Sequence, residues 1–210
     1  MPARLLRLYA GLVCFGVSLA LMLRARLGLG PWDVLHQGIA KRLDVPIGWV
    51  VIGVGAAVML AWIPLHERPG VGTLSNVIVI GLVVDAALPL LPAPGPLVLR
   101  IAFLVAGIVG TAIGTGLYVG AGLGPGPRDG LMTGLARRGL SIRAVRTCIE
   151  VAVLAVGFAL GGSVGVGTVA FALAIGPLVH LSLPRLTLPK EVTDEPAVRD
   201  EPAHLRRARC

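Results

Sequence analysis

A chain of 210 residues in which 55% are hydrophobic and only 14% charged is too apolar for an ordinary soluble domain. Its net charge of +8 does not point to nucleic acid, because no aromatic-bearing basic module accompanies it and the arginines collect at the ends of apolar runs. The three cysteines, Cys14, Cys148 and Cys210, have neither metal-ligand spacing nor an even-numbered disulfide framework, so no metal is expected.

Six apolar runs, each long enough to cross a bilayer core as helix, are predicted at 5–23, 47–65, 71–91, 98–120, 143–161 and 166–184. The first ends at Arg24 and Arg26, and its internal counterpart in the second half argues against a cleaved leader. A loop with the stretch GLGP follows (Gly28, Gly30, Pro31), and Asp33 reads as a cap or first-turn acid of a short interfacial helix over 33–42. Run two begins near Trp49 and ends near Trp62, so both indoles are predicted to be interfacial anchors. A polar turn leads to Gly70-Val71-Gly72-Thr73, where run three begins. The prolines of 89–96 cannot continue a regular helix and mark the half-way linker.

Run four repeats small residues at four-residue spacing through Gly110 and Gly114, a pattern that lets helices approach closely or lines a passage. A second GLGP stretch (Gly122, Gly124, Pro125) precedes Asp129, and a second GVGT (Gly165, Gly167, Thr168) opens run six. The stretch 189–210 is charged and without apolar periodicity, and is expected to be a disordered cytoplasmic tail.

Laying 5–89 over 100–184 gives an offset of 94 up to the first GLGP, 96 across the short helix and 95 afterwards. Ordered matches of this kind imply a duplication. Residues 1–96 form the first repeat, 97–188 the second, each with three runs. Three is odd, so the second repeat enters from the opposite side. The predicted fold is an all-α polytopic membrane protein of two inverted three-helix repeats. One face collects 14 of the basic residues and the other five, which predicts cytoplasmic termini.

Asp85 lies well inside run three, and His180 takes the matching place in run six. Ionisable groups inside a membrane usually face the bundle interior, so this pair is a candidate substrate-binding site. Arg146 and Glu150, four apart on one helix face, can pair or line a polar passage. Asn76 could bond a ligand or another helix. His36 follows Asp33 by three residues, yet no further ligand completes a metal set. No nucleotide, hydrolase or dinucleotide motif is present, so neither an enzyme nor a cofactor is expected.

The stretches GLGPWDVLHQGIAKR and GLGPGPRDGLMTGLARR, each followed by GVGT, resemble the YczE/YyaS/YitT family of bacterial integral membrane proteins over 5–184. The resemblance implies a multi-pass protein of the bacterial cytoplasmic membrane and supplies no activity, substrate or catalytic residue. The leading functional expectation is a transporter-like protein that moves an unknown small solute by rocking one repeat against the other. The alternative is a non-transporting binding or accessory protein that packs against partner membrane proteins or a second copy of itself.

Overall fold

In the computed structural model, which describes residues 1–92 and 95–187, every regular element is helical. The helices are α1 (Pro2–Ala25), α2 (Pro31–Leu43), α3 (Ile47–Leu60), α4 (Trp62–Leu65), α5 (Val71–Leu90), α6 (Leu97–Gly120), α7 (Pro127–Ala136), α8 (Ile142–Ala159) and α9 (Val166–Leu186). The predicted tail, 189–210, lies outside the described residues, as do positions 93 and 94 of the half-way linker. Five stretches are long and apolar enough to cross a membrane: α1, α3 with α4, α5, α6 and α9. The remaining predicted run is α8, whose 18 residues include Arg143, Arg146 and Glu150, and it falls outside that set.

Helices α1 and α6 cross at the centre through small residues. A side chain at Gly11 would meet Gly114 and Tyr118, the Cys14 thiol donates to the Gly110 carbonyl at 3.4 Å, and Gly107 faces Ser18 and Met22. As α1 advances α6 recedes, so the two run antiparallel. Lipid offers no hydrophobic drive for helix pairing, so close backbone approach at small residues supplies the attraction. The glycine spacing of run four is therefore helix packing: Gly107, Gly110 and Gly114 face α1, and Gly116 and Gly120 face the end of α9.

Matching positions in the two halves make reciprocal contacts. The Gly72 amide donates to the Leu123 carbonyl at 2.8 Å, and the Gly167 amide donates to the Leu27 carbonyl at 2.7 Å. In each GVGT the threonine hydroxyl accepts from the opening glycine amide, Gly70 to Thr73 and Gly165 to Thr168, both at 3.2 Å. Each GVGT thus seats on the glycine loop of the other half. These contacts also correct the register. Gly28 and Gly124 are the equivalent loop glycines, with φ of 113° and 125°, each against the threonine of the opposite GVGT. The letter-by-letter match of GLGP to GLGP pairs Gly28 instead with Gly122, which has φ 68° and open space around it. The shared pattern is Leu-Gly-x-Gly-Pro-x-Asp, from Leu27 and from Leu123.

Two helix pairs break this reciprocity. Helix α3 lies close along α5: the Gly48 amide donates to Asp85 Oδ1 at 2.8 Å, and Gly81 abuts Gly48 and Ile52. The matching pair, α8 and α9, makes no comparable contact, and a side chain placed on Gly176, the match of Gly81, would meet nothing within 4 Å.

Candidate functional site

The two short helices begin inside the protein. Gly30 and Gly126 precede them in extended conformation, and Pro31 and Pro127 occupy their first turns, where a missing N–H costs nothing. The two first turns face each other. Trp32 and Arg128, matching positions of the halves, stack with the guanidinium carbon 4.9 Å from the ring centroid. Around them lies a cavity of about 230 Å³. Asp33, His36, Asn76, Thr111, Thr115, Tyr118 and Asp129 line it. Its mouth carries Arg146 and Glu150, and Gly176 and Val179 form part of the same wall.

The electrostatics of this cavity are built from a few charges, with Asp33 buried and Arg128, Arg146 and Glu150 partly exposed. Arg146 pairs with Glu150 at 2.9 Å. Arg128 lies 3.6 Å from Asp33, which also faces His36 at 3.5 Å. Asp129 accepts a hydrogen bond from the Tyr118 hydroxyl at 3.1 Å. Trp32, Asp33 and His36 are 7%, 4% and 1% exposed, yet Trp32 Nε1, Asp33 Oδ1 and His36 Nδ1 have no hydrogen-bond partner. Asp33 Oδ1 and His36 Nδ1 face each other at 3.5 Å, too long for a full hydrogen bond, and buried polar atoms in this state are what a ligand or ordered water would complete. Burial holds the His36 imidazole below its usual pKa of 6.5, against the opposing pull of Asp33, so it is neutral at pH 7.

The predicted residues divide. Arg146, Glu150 and Asn76 line the cavity. Asp85 does not: it holds the start of α3 on α5, a structural clasp. His180 is exposed on α9 and also lies outside the cavity lining. Matched depth along two helices therefore does not bring Asp85 and His180 into one site. Asp33 and Asp129 make no capping hydrogen bond, because the caps are Gly30 and Gly126 and each Asp turns to side-chain partners. Trp49 is exposed, as an anchor requires, but Trp62 is 2% exposed and its indole donates to the Pro127 carbonyl at 3.0 Å beneath α7. Sequence reasoning passed over Trp32, Arg128, Tyr118, Thr111 and Thr115 as site residues. The available signal was the repeat itself, which sets Trp32 opposite Arg128 directly before the matched aspartates. Among the described residues no group of three potential ligands gathers for a metal ion.

The match to known proteins covers the helical region. A model of a family of unknown function, DUF6198, matches residues 2–184. An uncharacterized protein of Haemophilus influenzae is 45% identical over 169 residues, covering 80% of this chain and 78% of that protein. The uncharacterized membrane protein YczE of Bacillus subtilis is 35% identical over 182 residues, 84% of each chain. No solved structure matches.

Proposed function

Because the chain belongs to DUF6198, a family of membrane proteins with no defined role to inherit, we propose from its own geometry that it carries a small polar solute across the membrane. The solute site is the cavity between the first turns of α2 and α7. The working parts are two inverted repeats, residues 1–96 and 97–188, which open the cavity alternately to either side. The antiparallel α1–α6 crossing and the reciprocal GVGT seats support the inverted arrangement. In this reading α8 completes a sixth span, its charged first half facing the cavity mouth rather than lipid.

The observation that carries the proposal is the broken symmetry. Equivalent pairs α3–α5 and α8–α9 flank one cavity, the first joined through Gly48, Gly81 and Asp85, the second parted at Gly176. The twin positions of Gly48 and Asp85 are Arg143 and His180, so the second pair would close through Gly176 without that hydrogen bond; one copy closed and its twin open is the arrangement a two-state carrier presents. The parted pair separates at the start of α8 and the end of α9, since their other ends are tied by the short loop at 160–165. With the orientation expected from the arginine asymmetry, that opening would face the cytoplasm.

The test is flux. Vesicles reconstituted with the purified protein and loaded with a bacterial metabolite extract should gain or lose at least one small polar compound faster than empty vesicles, read by mass spectrometry. Ligand retention with no flux under any gradient would instead favour the non-transporting binding role.

A further inference from the structure

We infer that the cavity takes a small amphipathic organic amine, its ammonium held by Asp129 and its apolar body lying toward Phe171. The inference rests on reading the cavity as a solute site and adds the chemical class. Three carboxylates and two guanidiniums line the cavity. Arg146 is matched by Glu150 at 2.9 Å, and Arg128 is held between Asp33 at 3.6 Å and the Trp32 ring. Asp129 is the remainder. Its partner is the neutral Tyr118 hydroxyl at 3.1 Å, and among the described residues no basic nitrogen pairs with it. With His36 neutral, the lining therefore carries one uncompensated negative charge, which in a membrane interior calls for a cation.

The repeat decides where that charge lies relative to apolar surface. Matching positions have diverged in opposite directions. On one side stand Asn76 and Asp129; their matches on the other are Phe171 and Asp33, the last already facing Arg128. Gly30 lies under the Phe171 ring just as Gly126 lies beside the Asn76 amide and the Tyr118 hydroxyl. The carboxylate without a cationic partner thus lies with Asn76 and Tyr118, while Phe171 stands on the side where Asp33 is already matched by Arg128. A bare metal ion would leave the Phe171 side unused, and no group of three ligating side chains gathers for one among the described residues. An anion would face the surplus charge.

Calorimetry on the purified protein at pH 7 tests this with three probes of one size: 2-phenylethylamine, 2-phenylethanol and phenylacetate. The amine should bind at least tenfold more tightly than the alcohol, and phenylacetate most weakly. Asp129→Asn should bring the amine down to the alcohol's affinity with the melting temperature kept. Should that variant fail to fold, Tyr118→Phe should weaken the amine severalfold more than the alcohol. Equal binding of amine and alcohol, tighter binding of phenylacetate, or a preference that survives Asp129→Asn overturns the amine class. Flux of a neutral or anionic metabolite would keep the carrier and remove the amine. Binding of none of the three, with no flux of any metabolite, would remove both.

Discussion

At His36 the cavity's chemistry meets its stability. The imidazole is 1% exposed with Nδ1 unsatisfied, and it faces Asp33 and Arg128. Desolvation outweighs the neighbouring carboxylate, so its folded pKa lies below the 6.5 of the unfolded chain. Between those two values the unfolded chain binds more protons than the folded one, so stability rises with pH there. Its full value is present above about pH 6.5 and is lost as the pH falls from there toward the depressed folded pKa. Melting temperatures in detergent should therefore decline on acidification below about pH 6.5, by about 2–4 °C per kcal/mol lost for a chain of this size. His36→Met, which installs the residue of the matching position Met132, should flatten that part of the profile. An unchanged slope in the variant would assign the acid sensitivity to other groups. The same three residues show why the site was only partly legible in the sequence. Asp before a short helix is usually a cap. Here glycines cap, and the aspartates are released to meet Arg128 and Tyr118, partners that only the tertiary fold supplies.

Among the elements, the glycine loops and their GVGT seats matter most. The Leu27 and Leu123 carbonyls accept from the start of the opposite α9 and α5, joining the halves by backbone groups that cannot vary with sequence. Gly28 and Gly124 have φ of 113° and 125°, which side-chain-bearing residues rarely adopt, and both lie directly under a threonine hydroxyl. Gly122 has φ 68°, in the left-handed helical region, with nothing within 4 Å of an added Cβ. Ala at Gly122 should cost about 1 kcal/mol. Ala at Gly28 or Gly124 should cost more, about 2–3 kcal/mol of strain before the clash is added, and the two should cost alike. Thermal unfolding of the three variants checks this ranking; equal losses at Gly122 and Gly124 would return the register to the letter match. Helix positions were legible because long apolar runs and prolines mark them. The loop register was not, since two GLGP strings align better as letters than as backbone. Trp62 differs from its expected place for a similar reason: composition puts an indole at the end of a span, but Gly130 opposite it leaves a slot that the ring fills.

For the molecule as a whole, the question is whether the open α8–α9 gap and the closed α3–α5 contact exchange. Gly55 and Val77 offer a direct handle: a Cβ built at Gly55 would lie 3.5 Å from the Val77 Cβ, within the range of a disulfide. Their matches at offset 95 are Glu150 and Ala172, on the parted pair. With Cys14, Cys148 and Cys210 replaced, Gly55→Cys with Val77→Cys should cross-link readily under mild oxidant. The bond should stop flux, because it locks α3 on α5, and reduction of the same double-cysteine protein should restore it. Glu150→Cys with Ala172→Cys should cross-link slowly in the same conditions. Asp85→Ala, which releases the Gly48 amide from its clasp, should weaken α3 on α5 and so favour the opposite state. That third substitution should therefore speed the 150–172 cross-link several-fold and slow the 55–77 one. A 150–172 pair that never forms, with or without Asp85, would mean that the gap is fixed. The two halves would then serve to build a binding cavity and not to move it.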